Sequence, residues 1–354
     1  GMKIKGLEEY GSVRDAYDEI EKALAMIKNS KTFIESHKAG TEFLKAEEGK
    51  EFDSRMEEAD EALAEGRKII CHGSSEIYDM LTKTPLYDTA RKQWNRYIDA
   101  GQNVKETTRQ TVSLLPGVIA LASIGRAGEA EERYNLLLQS PLYDRETRQW
   151  NTSMTAAQQI ENTARSSCEQ LMNVIALACI GKIRDGEKIY ALLMQTPLYN
   201  AEKKQWNESM TQKKKISDST RYASTHLLEV IALSCFERKN DAETMYEALK
   251  NTEFYDASCG QWNYSIDEKQ KLTDERHSIK NLIGVSALAA IGRTSEARET
   301  YGMLKETRLY DKARKQWNWL MNAAQAVENT DRSAFSQLWG VIALAMLEGW
   351  KLGR

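Results

Sequence analysis

The tripeptide Gln-Trp-Asn occurs five times in this chain of 354 residues, at 93–95, 149–151, 205–207, 261–263 and 316–318. Successive tryptophans are separated by 56, 56, 56 and 55 residues. A fixed period of this length is typical of repeat proteins, in which each copy buries its apolar face against the next copy. The tripeptide therefore predicts a single repeat-built domain, rather than the two ordinary domains that the length alone would suggest.

Each tryptophan stands in a block of residues that recurs with the same period. The block contains a Tyr-x-x-Leu pair, then Leu-Tyr-Asp or a close variant, then the tryptophan, then an arginine 14 or 15 residues later. An apolar run such as Val-Ile-Ala-Leu-Ala at 174–178 closes it. Residues that suit a helix N-cap lie two positions before each arginine, at Thr107, Thr163, Ser219, Asp274 and Thr330. Gly125, Gly181 and Gly292 follow apolar runs and predict where those helices end.

Two helices per repeat follow from this pattern: an inner helix made from the apolar run, and an outer helix that carries Tyr-x-x-Leu. Segments such as 88–104 are compatible with a third helix or with an ordered loop. We expect an all-α domain of about six units, each of about 56 residues. Residues 1–73 would hold an amphipathic helix at 11–29 and a degenerate first repeat, and residues 74–354 would hold five regular repeats with the last one truncated.

The phrase Ala-Leu-Ala-x-Ile-Gly-Arg-x-x-Glu-Ala-x-x-x-Tyr at 287–301 is similar to tetratricopeptide repeats, but those recur at about 34 residues. The unit count and the degenerate first unit resemble the six-hairpin α/α-toroid superfamily instead. That resemblance implies a closed ring, in a fold that houses glycan-active enzymes and terpenoid or prenyl-transfer enzymes. An open right-handed α-solenoid is the alternative. The zinc ligands of prenyltransferases and the Asp-rich signature of terpene enzymes are absent, so the resemblance implies a fold and not an activity.

Composition argues against several classes of partner. The net charge of −3 provides no basic field for nucleic acid. No run of about 18 apolar residues predicts a membrane span. Five cysteines, an odd number, fit a reduced cytoplasmic protein. Metal-ligand spacings and phosphate-binding loops are lacking, so we expect no metal and no cofactor. A protein partner stays open.

The residues repeated in every copy are best explained as structure, because an active site is one place built from unlike residues. The tryptophan column (Trp94, Trp150, Trp206, Trp262 and Trp317) predicts joints between neighbouring repeats, with a ring of platforms for sugars as the alternative. The arginine column predicts ion pairs to the Asp column that link neighbouring repeats. The alternative is that these arginines hold an anion at helix N-termini.

Positions where the copies differ are better candidates for function. Five residues after each arginine, the column reads Leu114, Gln170, His226, Asn281 and Gln337. His226, Glu229 and His277 form a candidate acid–base cluster, because histidine titrates near neutrality. The candidate ligand-binding residues are Arg165, Arg221, Arg276, Arg332, Gln170, Asn281, Gln337, Tyr222 and Trp339.

These observations favour a repeat-built helical binding protein whose cavity or concave face holds a polar or anionic small molecule or a glycan. The first alternative is an α/α-toroid enzyme of the hydrolase or lyase type that acts on a carbohydrate. Glycosidases need two carboxylic acids, and the sequence indicates only Glu229 as an inward one. The second alternative is a scaffold for protein–protein interaction.

Overall fold

A computed structural model describes residues 72–352, apart from 268, 270, 274 and 323–325. Residues 73–354 form one compact unit. The helices expected at 11–29 and 53–71 and the degenerate repeat at 41–52 lie outside the described residues. None of the helices in the described ranges is long and apolar enough to cross a bilayer.

The described residues contain ten helices, most of them three or four turns long. In chain order they are α1 (His72–Thr82), α2 (Thr111–Ser123), α3 (Ala127–Gln139), α4 (Ser167–Cys179), α5 (Ile183–Leu193), α6 (Ala223–Cys235), α7 (Lys239–Lys250), α8 (Ser278–Ala290), α9 (Thr294–Glu306) and α10 (Ala334–Glu348).

The even-numbered helices form a closed inner ring. Each packs against the next even-numbered helix, and α10 returns to pack against α2. The odd-numbered helices α3, α5, α7 and α9 each pack outside the inner helix that precedes them. Helix α1 completes the outer layer beside α10, since Ser74 donates to Glu348 from its backbone N–H (3.2 Å) and its hydroxyl (2.6 Å). The ring of the described part of the chain therefore closes with five helical hairpins. The chain has the α/α-toroid fold, and the open solenoid is excluded.

Burial separates the two layers of helices. All 13 residues of α4 and of α6 are buried, because each faces neighbours on both sides and an outer helix behind. Helix α3 buries only Ala130, Tyr134 and Leu137, which recur at helical spacing on one face. The small residue at the Ala130 position permits close packing: a Cβ on its counterpart Gly186 would lie 3.1 Å from the Val174 carbonyl of α4.

Short strands connect the helices, so the expectation of an all-α chain is only approximate. The strands are β1 (Tyr87–Asp88), β2 (Gln93–Trp94), β3 (Tyr97–Ile98), β4 (Val104–Glu106), β5 (Arg109–Gln110), β6 (Tyr143–Asp144), β7 (Gln149–Trp150), β8 (Ser153–Met154), β9 (Ile160–Asn162), β10 (Arg165–Ser166), β11 (Tyr199–Asn200), β12 (Gln205–Trp206), β13 (Ser209–Met210), β14 (Ile216–Asp218), β15 (Arg221–Tyr222), β16 (Tyr255–Asp256), β17 (Gln261–Trp262), β18 (Ser265–Ile266), β19 (Leu272–Thr273), β20 (Arg276–His277), β21 (Tyr310–Asp311), β22 (Gln316–Trp317), β23 (Leu320–Met321), β24 (Val327–Asn329) and β25 (Arg332–Ser333).

Each repeat uses these strands in two ways. The Tyr-Asp strand and the Gln-Trp strand form an antiparallel hairpin, as in β1 and β2. The arginine strand pairs with the methionine or isoleucine strand of the next repeat, as β10 does with β13, and β25 pairs with β3 to close the ring. Segments such as 88–104 therefore contain short β-hairpins and do not form a third helix, so the ordered alternative to a helix is the one observed. The period-2 alternation that usually identifies strands is invisible in segments of two or three residues.

The five tryptophans of the repeat occupy matching environments, and each packs against tyrosines of its own repeat rather than at the expected joint between neighbouring repeats. Each is at most 3% exposed. The ring of each lies 5.7 to 6.4 Å from the tyrosine of the outer helix and 4.8 to 5.0 Å from the tyrosine of the hairpin. Side chains buried in this way cannot serve as exposed platforms for sugars.

The arginine column forms buried ion pairs within each repeat, not between repeats as expected. The Nη2 atoms of Arg109, Arg165, Arg276 and Arg332 lie 2.5 to 2.7 Å from the aspartate 20 or 21 residues earlier. These arginine side chains are at most 5% exposed. In the third repeat Asn200 replaces the aspartate, and Arg221 donates to Gln205 instead, at 3.0 Å.

Each predicted N-cap is three residues too early, whereas the predicted helix ends are correct. The N-cap positions are Gln110, Ser166, Tyr222, His277 and Ser333, so the arginines lie in strands and not at helix N-termini. The residues that the capping pattern had assigned to the first turn of the helix instead form a strand that pairs with the next repeat. Gly125, Gly181 and Gly292 have positive φ angles just past the helix ends, as expected for C′ glycines.

Candidate active site

A cavity of about 340 Å³ opens at the N-terminal ends of the inner helices. All five inner helices contribute a residue from their first turn: Val112, Cys168, Ser224, Lys280 and Phe335. The strands before these helices add Gln110, Ser166 and Tyr222, and the loops after the tryptophan strands add Thr152, Glu208 and Tyr264. The cavity therefore lies where the five-fold ring converges, as a concave site lined mainly by polar side chains.

Glu169 is the third residue of α4 and is fully buried at the cavity wall. Its Oε2 accepts long hydrogen bonds from the Thr152 hydroxyl (3.3 Å) and from the backbone N–H of the N-cap residue Ser166 (3.4 Å). Its Oε1 finds no hydrogen-bond partner among the described residues. Buried polar atoms are nearly always paired, so this unpaired carboxyl oxygen is unusual.

Glu208 belongs to the next repeat and is held over the same helix end. Its backbone carbonyl accepts from the N–H of Ser167, the first residue of α4, at 2.9 Å. That bond satisfies one of the N–H groups that a helix N-terminus leaves unpaired. The Glu208 Oε1 accepts from the Ser166 hydroxyl at 3.2 Å. Two carboxyl groups thus face one cavity around the start of α4.

Lys280 lies on the other side of the cavity, on α8. Its Nζ donates to the Ser224 hydroxyl at 2.7 Å. It also lies 5.0 Å from the ring centre of Tyr222 and 4.8 Å from that of Tyr264. One side of the site therefore carries carboxyl groups and hydroxyls, and the other carries a lysine framed by two tyrosine rings.

Burial shifts the titration of Glu169, Glu208 and Lys280 toward neutrality. Burial, together with the negative charge of Glu208, raises the pKa of Glu169 to about 8. Burial raises the pKa of Glu208 to about 7 against the opposing charge of Lys280, and burial lowers the pKa of Lys280. At neutral pH one carboxyl group is an acid and the other titrates close to the working pH, the arrangement that general acid–base catalysis needs. Burial also raises the pKa of the Cys168 thiol, which keeps it protonated and poorly nucleophilic.

The structure does not bring the three candidate catalytic residues together in this cavity. Glu229 lies between helices, where it accepts from the Tyr190 hydroxyl and the Trp206 indole, both at 2.7 Å. Burial and the charge of Arg221 lower the pKa of His226 to about 4, and its ring packs 5.8 Å from Phe254. His277 stacks on Tyr264 at 4.2 Å, behind the cavity wall, and burial with the charge of Lys280 lowers its pKa to about 3.

Among the candidate ligand-binding residues, Tyr222 lines the cavity. The side-chain amides of Gln170, Asn281 and Gln337 accept from the backbone N–H of the tryptophan in their own repeat, at 2.9 to 3.1 Å, and form a seam between helix and hairpin. The four candidate arginines do not line the cavity, and Trp339 is fully buried.

The residues that the sequence analysis missed also break the repeat. Glu169 and Lys280 occupy the third position of their helices, where the other copies have Ser113, Thr225 and Ser336. Glu208 occupies the position two residues after the tryptophan, where the second copy has Thr152. In the sequence, Glu169 and Lys280 are visible as charged residues in a column that is otherwise Ser or Thr. Glu208 is visible as a charged residue in a column that differs from copy to copy.

No known family model matches the sequence, and no curated protein matches it. Solved structures do match. A D-mannose isomerase superposes with a TM-score of 0.53 and 11% identity, over 74% of this chain and 77% of that one. The cellobiose 2-epimerase from Bacillus thermoamylovorans B4167 has a TM-score of 0.53 and 11% identity, over 77% of this chain and 98% of that one. The cellobiose 2-epimerase from Spirochaeta thermophila DSM 6192 has a TM-score of 0.50 and 10% identity, over 79% of this chain and 97% of that one.

At 10 to 11% identity these likenesses concern the fold alone. They agree with the closed ring of helical hairpins, and so the chain is an α/α toroid by its own packing and by its structural neighbours. Function has to be argued from the cavity.

Proposed function

We propose that this protein is a carbohydrate-active α/α-toroid enzyme that moves a proton at the carbon next to a sugar carbonyl, with Glu169 and Glu208 as its acid–base pair. The observation that carries the proposal is the pair of carboxyl groups, both with pKa values raised to near neutrality, in one cavity at the centre of the ring. Glu208, with the lower pKa, is the base, and Glu169, with the higher pKa, is the acid.

The surroundings of the pair favour a reaction that develops negative charge. Helix N-termini carry a partial positive charge, and the first turns of the inner helices line the cavity. Removal of a proton next to a carbonyl generates an enediolate, which such N-termini stabilise. The three matching structures described above, with TM-scores of 0.50 to 0.53, are named as an isomerase and 2-epimerases, which supports proton transfer on a sugar.

Glycoside hydrolysis is the second candidate, because it also uses two carboxyl groups that flank one bond. Its transition state develops positive charge on the sugar ring, which the helix N-termini oppose. The partly exposed Tyr222 and Tyr264 suit either reaction, because aromatic rings pack against the apolar faces of sugars.

The test incubates the protein in D₂O with D-mannose, D-glucose, cellobiose and mannobiose, and follows the sugars by NMR and chromatography. The proposal expects deuterium next to the carbonyl carbon and an isomer of unchanged size. It expects Glu169→Gln and Glu208→Gln to abolish both, whereas the matched variant Glu229→Gln keeps them. Release of a smaller sugar without deuterium would support hydrolysis. Binding of a sugar without conversion would support the binding-protein interpretation and contradict the proposal.

A further inference from the structure

Lys280 is a buried lysine without an ion-pair partner. It is 6% exposed, and among the described residues no carboxylate oxygen lies within 4.0 Å of its Nζ. The Nζ is held by the Ser224 hydroxyl at 2.7 Å and by the faces of Tyr222 and Tyr264. Buried lysines are rare unless they are paired, so this one calls for a functional explanation.

The environment of Lys280 shifts its protonation equilibrium toward the neutral amine. Burial lowers its pKa, and the nearby charge of Glu208 only partly opposes that effect. Each unit by which a lysine pKa falls raises the fraction of unprotonated amine about tenfold at a given pH below that pKa. A desolvated lysine of this kind is the usual nucleophile for carbonyl substrates.

We propose that Lys280 forms an imine with the carbonyl carbon of an open-chain aldose or ketose bound in the central cavity. The geometry that carries this inference is the juxtaposition, in one cavity, of the Lys280 amine, the Ser224 hydroxyl and the two carboxyl groups of Glu169 and Glu208. The inference rests on the proposed function, because it assigns the form of substrate on which the acid–base pair acts.

The step balances with groups that the site contains. The lone pair of Nζ forms a bond to the carbonyl carbon while the C=O π electrons take a proton from Glu169. The amine proton passes to Glu208, and the resulting carbinolamine hydroxyl leaves as water after protonation by a carboxyl group. The products are an imine and one water. The protonated imine acidifies the neighbouring C–H, and Glu208 removes that proton. Glu208 then returns the proton to the carbon. Hydrolysis of the imine with water releases the sugar and restores Lys280.

The experiment traps the imine with glycolaldehyde, a short hydroxyaldehyde that is largely free of ring closure, and sodium borohydride. Intact mass and peptide mapping then locate the added hydroxyethyl group. We expect one group per chain, on Lys280, formed more than about tenfold faster near pH 7 than at any exposed lysine, because burial lowers the pKa of Lys280. Lys280→Met and Lys280→Arg should abolish it, whereas Lys188→Met, at a side chain 74% exposed, should leave it unchanged.

Labelling spread evenly over exposed lysines, or the same labelling in Lys280→Met, would overturn the inference. Peptide mapping of the wild-type chain shows whether the hydroxyethyl group is on Lys280, even where a variant fails to fold. Failure here is distinguishable from failure of the proposed function. If no adduct is trapped although deuterium exchange is intact, the imine alone is rejected. If an adduct is trapped at Lys280 but no sugar is converted, the proposed reaction is rejected.

Discussion

Glu169→Gln is expected to change how the stability of the protein depends on pH. The glutamine keeps the size of the side chain and the acceptor that a capping position requires, but it cannot ionise. In the wild-type chain the pKa of Glu169 rises from 4.5 unfolded to about 8 folded. Below 4.5 the carboxyl group is protonated in both states. As the pH rises toward 8 only the unfolded chain releases the proton, so the free energy of unfolding falls across that window.

The size of the effect follows from the shift. One pKa unit corresponds to about 1.4 kcal/mol, so a rise from 4.5 to about 8 gives at most about 5 kcal/mol. Urea unfolding of both proteins at several pH values between about 5 and 8.5 measures it. We expect the stability of Glu169→Gln, relative to wild type, to increase by about 4 kcal/mol over that range.

The control is Glu129→Gln on the surface of α3, whose carboxyl group lies 2.6 Å from Arg126. The hydrogen bond to Arg126 lowers the pKa of Glu129 despite partial burial, so this variant should not gain stability as the pH rises. Parallel stability curves for wild type and Glu169→Gln would refute the reasoning, because they would mean that Glu169 ionises normally in the folded state.

Three further predictions concern the scaffold. Asp144→Ala leaves a buried arginine unpaired and should cost about 3 to 5 kcal/mol in urea unfolding, whereas Asn200→Ala, where the repeat has already lost its aspartate, should cost under about 1 kcal/mol. Gly284→Ala places a Cβ 2.3 Å from a tryptophan indole nitrogen and should cost about 1 to 3 kcal/mol. In Gly128→Ala the new Cβ meets no atom within 4 Å, so this substitution should instead stabilise its helix by about 0.5 to 1 kcal/mol. Equal effects of the two glycine substitutions on the thermal unfolding measured by calorimetry would contradict the packing described here. Glu229→Gln should lose one of two buried hydrogen bonds, at a cost of about 1 to 3 kcal/mol, without changing sugar conversion; loss of conversion at unchanged stability would return Glu229 to the catalytic site.

The 56-residue period predicted a domain of helical repeats, because every copy buries the same tryptophan in the same way. The closed ring was expected from the resemblance to the α/α-toroid superfamily. The helix ends were predictable as well, since a positive φ angle calls for glycine at positions such as Gly125. The strands were not. Segments of two residues carry no periodicity, and their pairing partners lie one repeat away, as Arg165 and Met210 do.

The site was missed because the predicted helix starts were too early. A start at Thr163 places Gln170 and its counterparts in the wrong turn, and so the column five residues after the arginine was assigned to the cavity. In the structure that column forms the seam to the hairpin. Glu169 and Glu208 also stand where the copies differ, but in other columns, and the proposed function assigns the chemistry to them. Cytoplasmic location stays a prediction.

The central claim is that the repeats build a tolerant scaffold and that three unlike residues at its axis carry the chemistry. It is tested most directly by replacing those residues with ones that other copies have at the same positions, in a single variant Glu169→Ser, Glu208→Thr and Lys280→Ser. Sugar conversion and thermal unfolding are then measured on the same samples. We expect a folded protein at least as stable as wild type near pH 8, with no conversion of any sugar that the wild type converts. Retained conversion would contradict the account, and so would a variant that fails to fold.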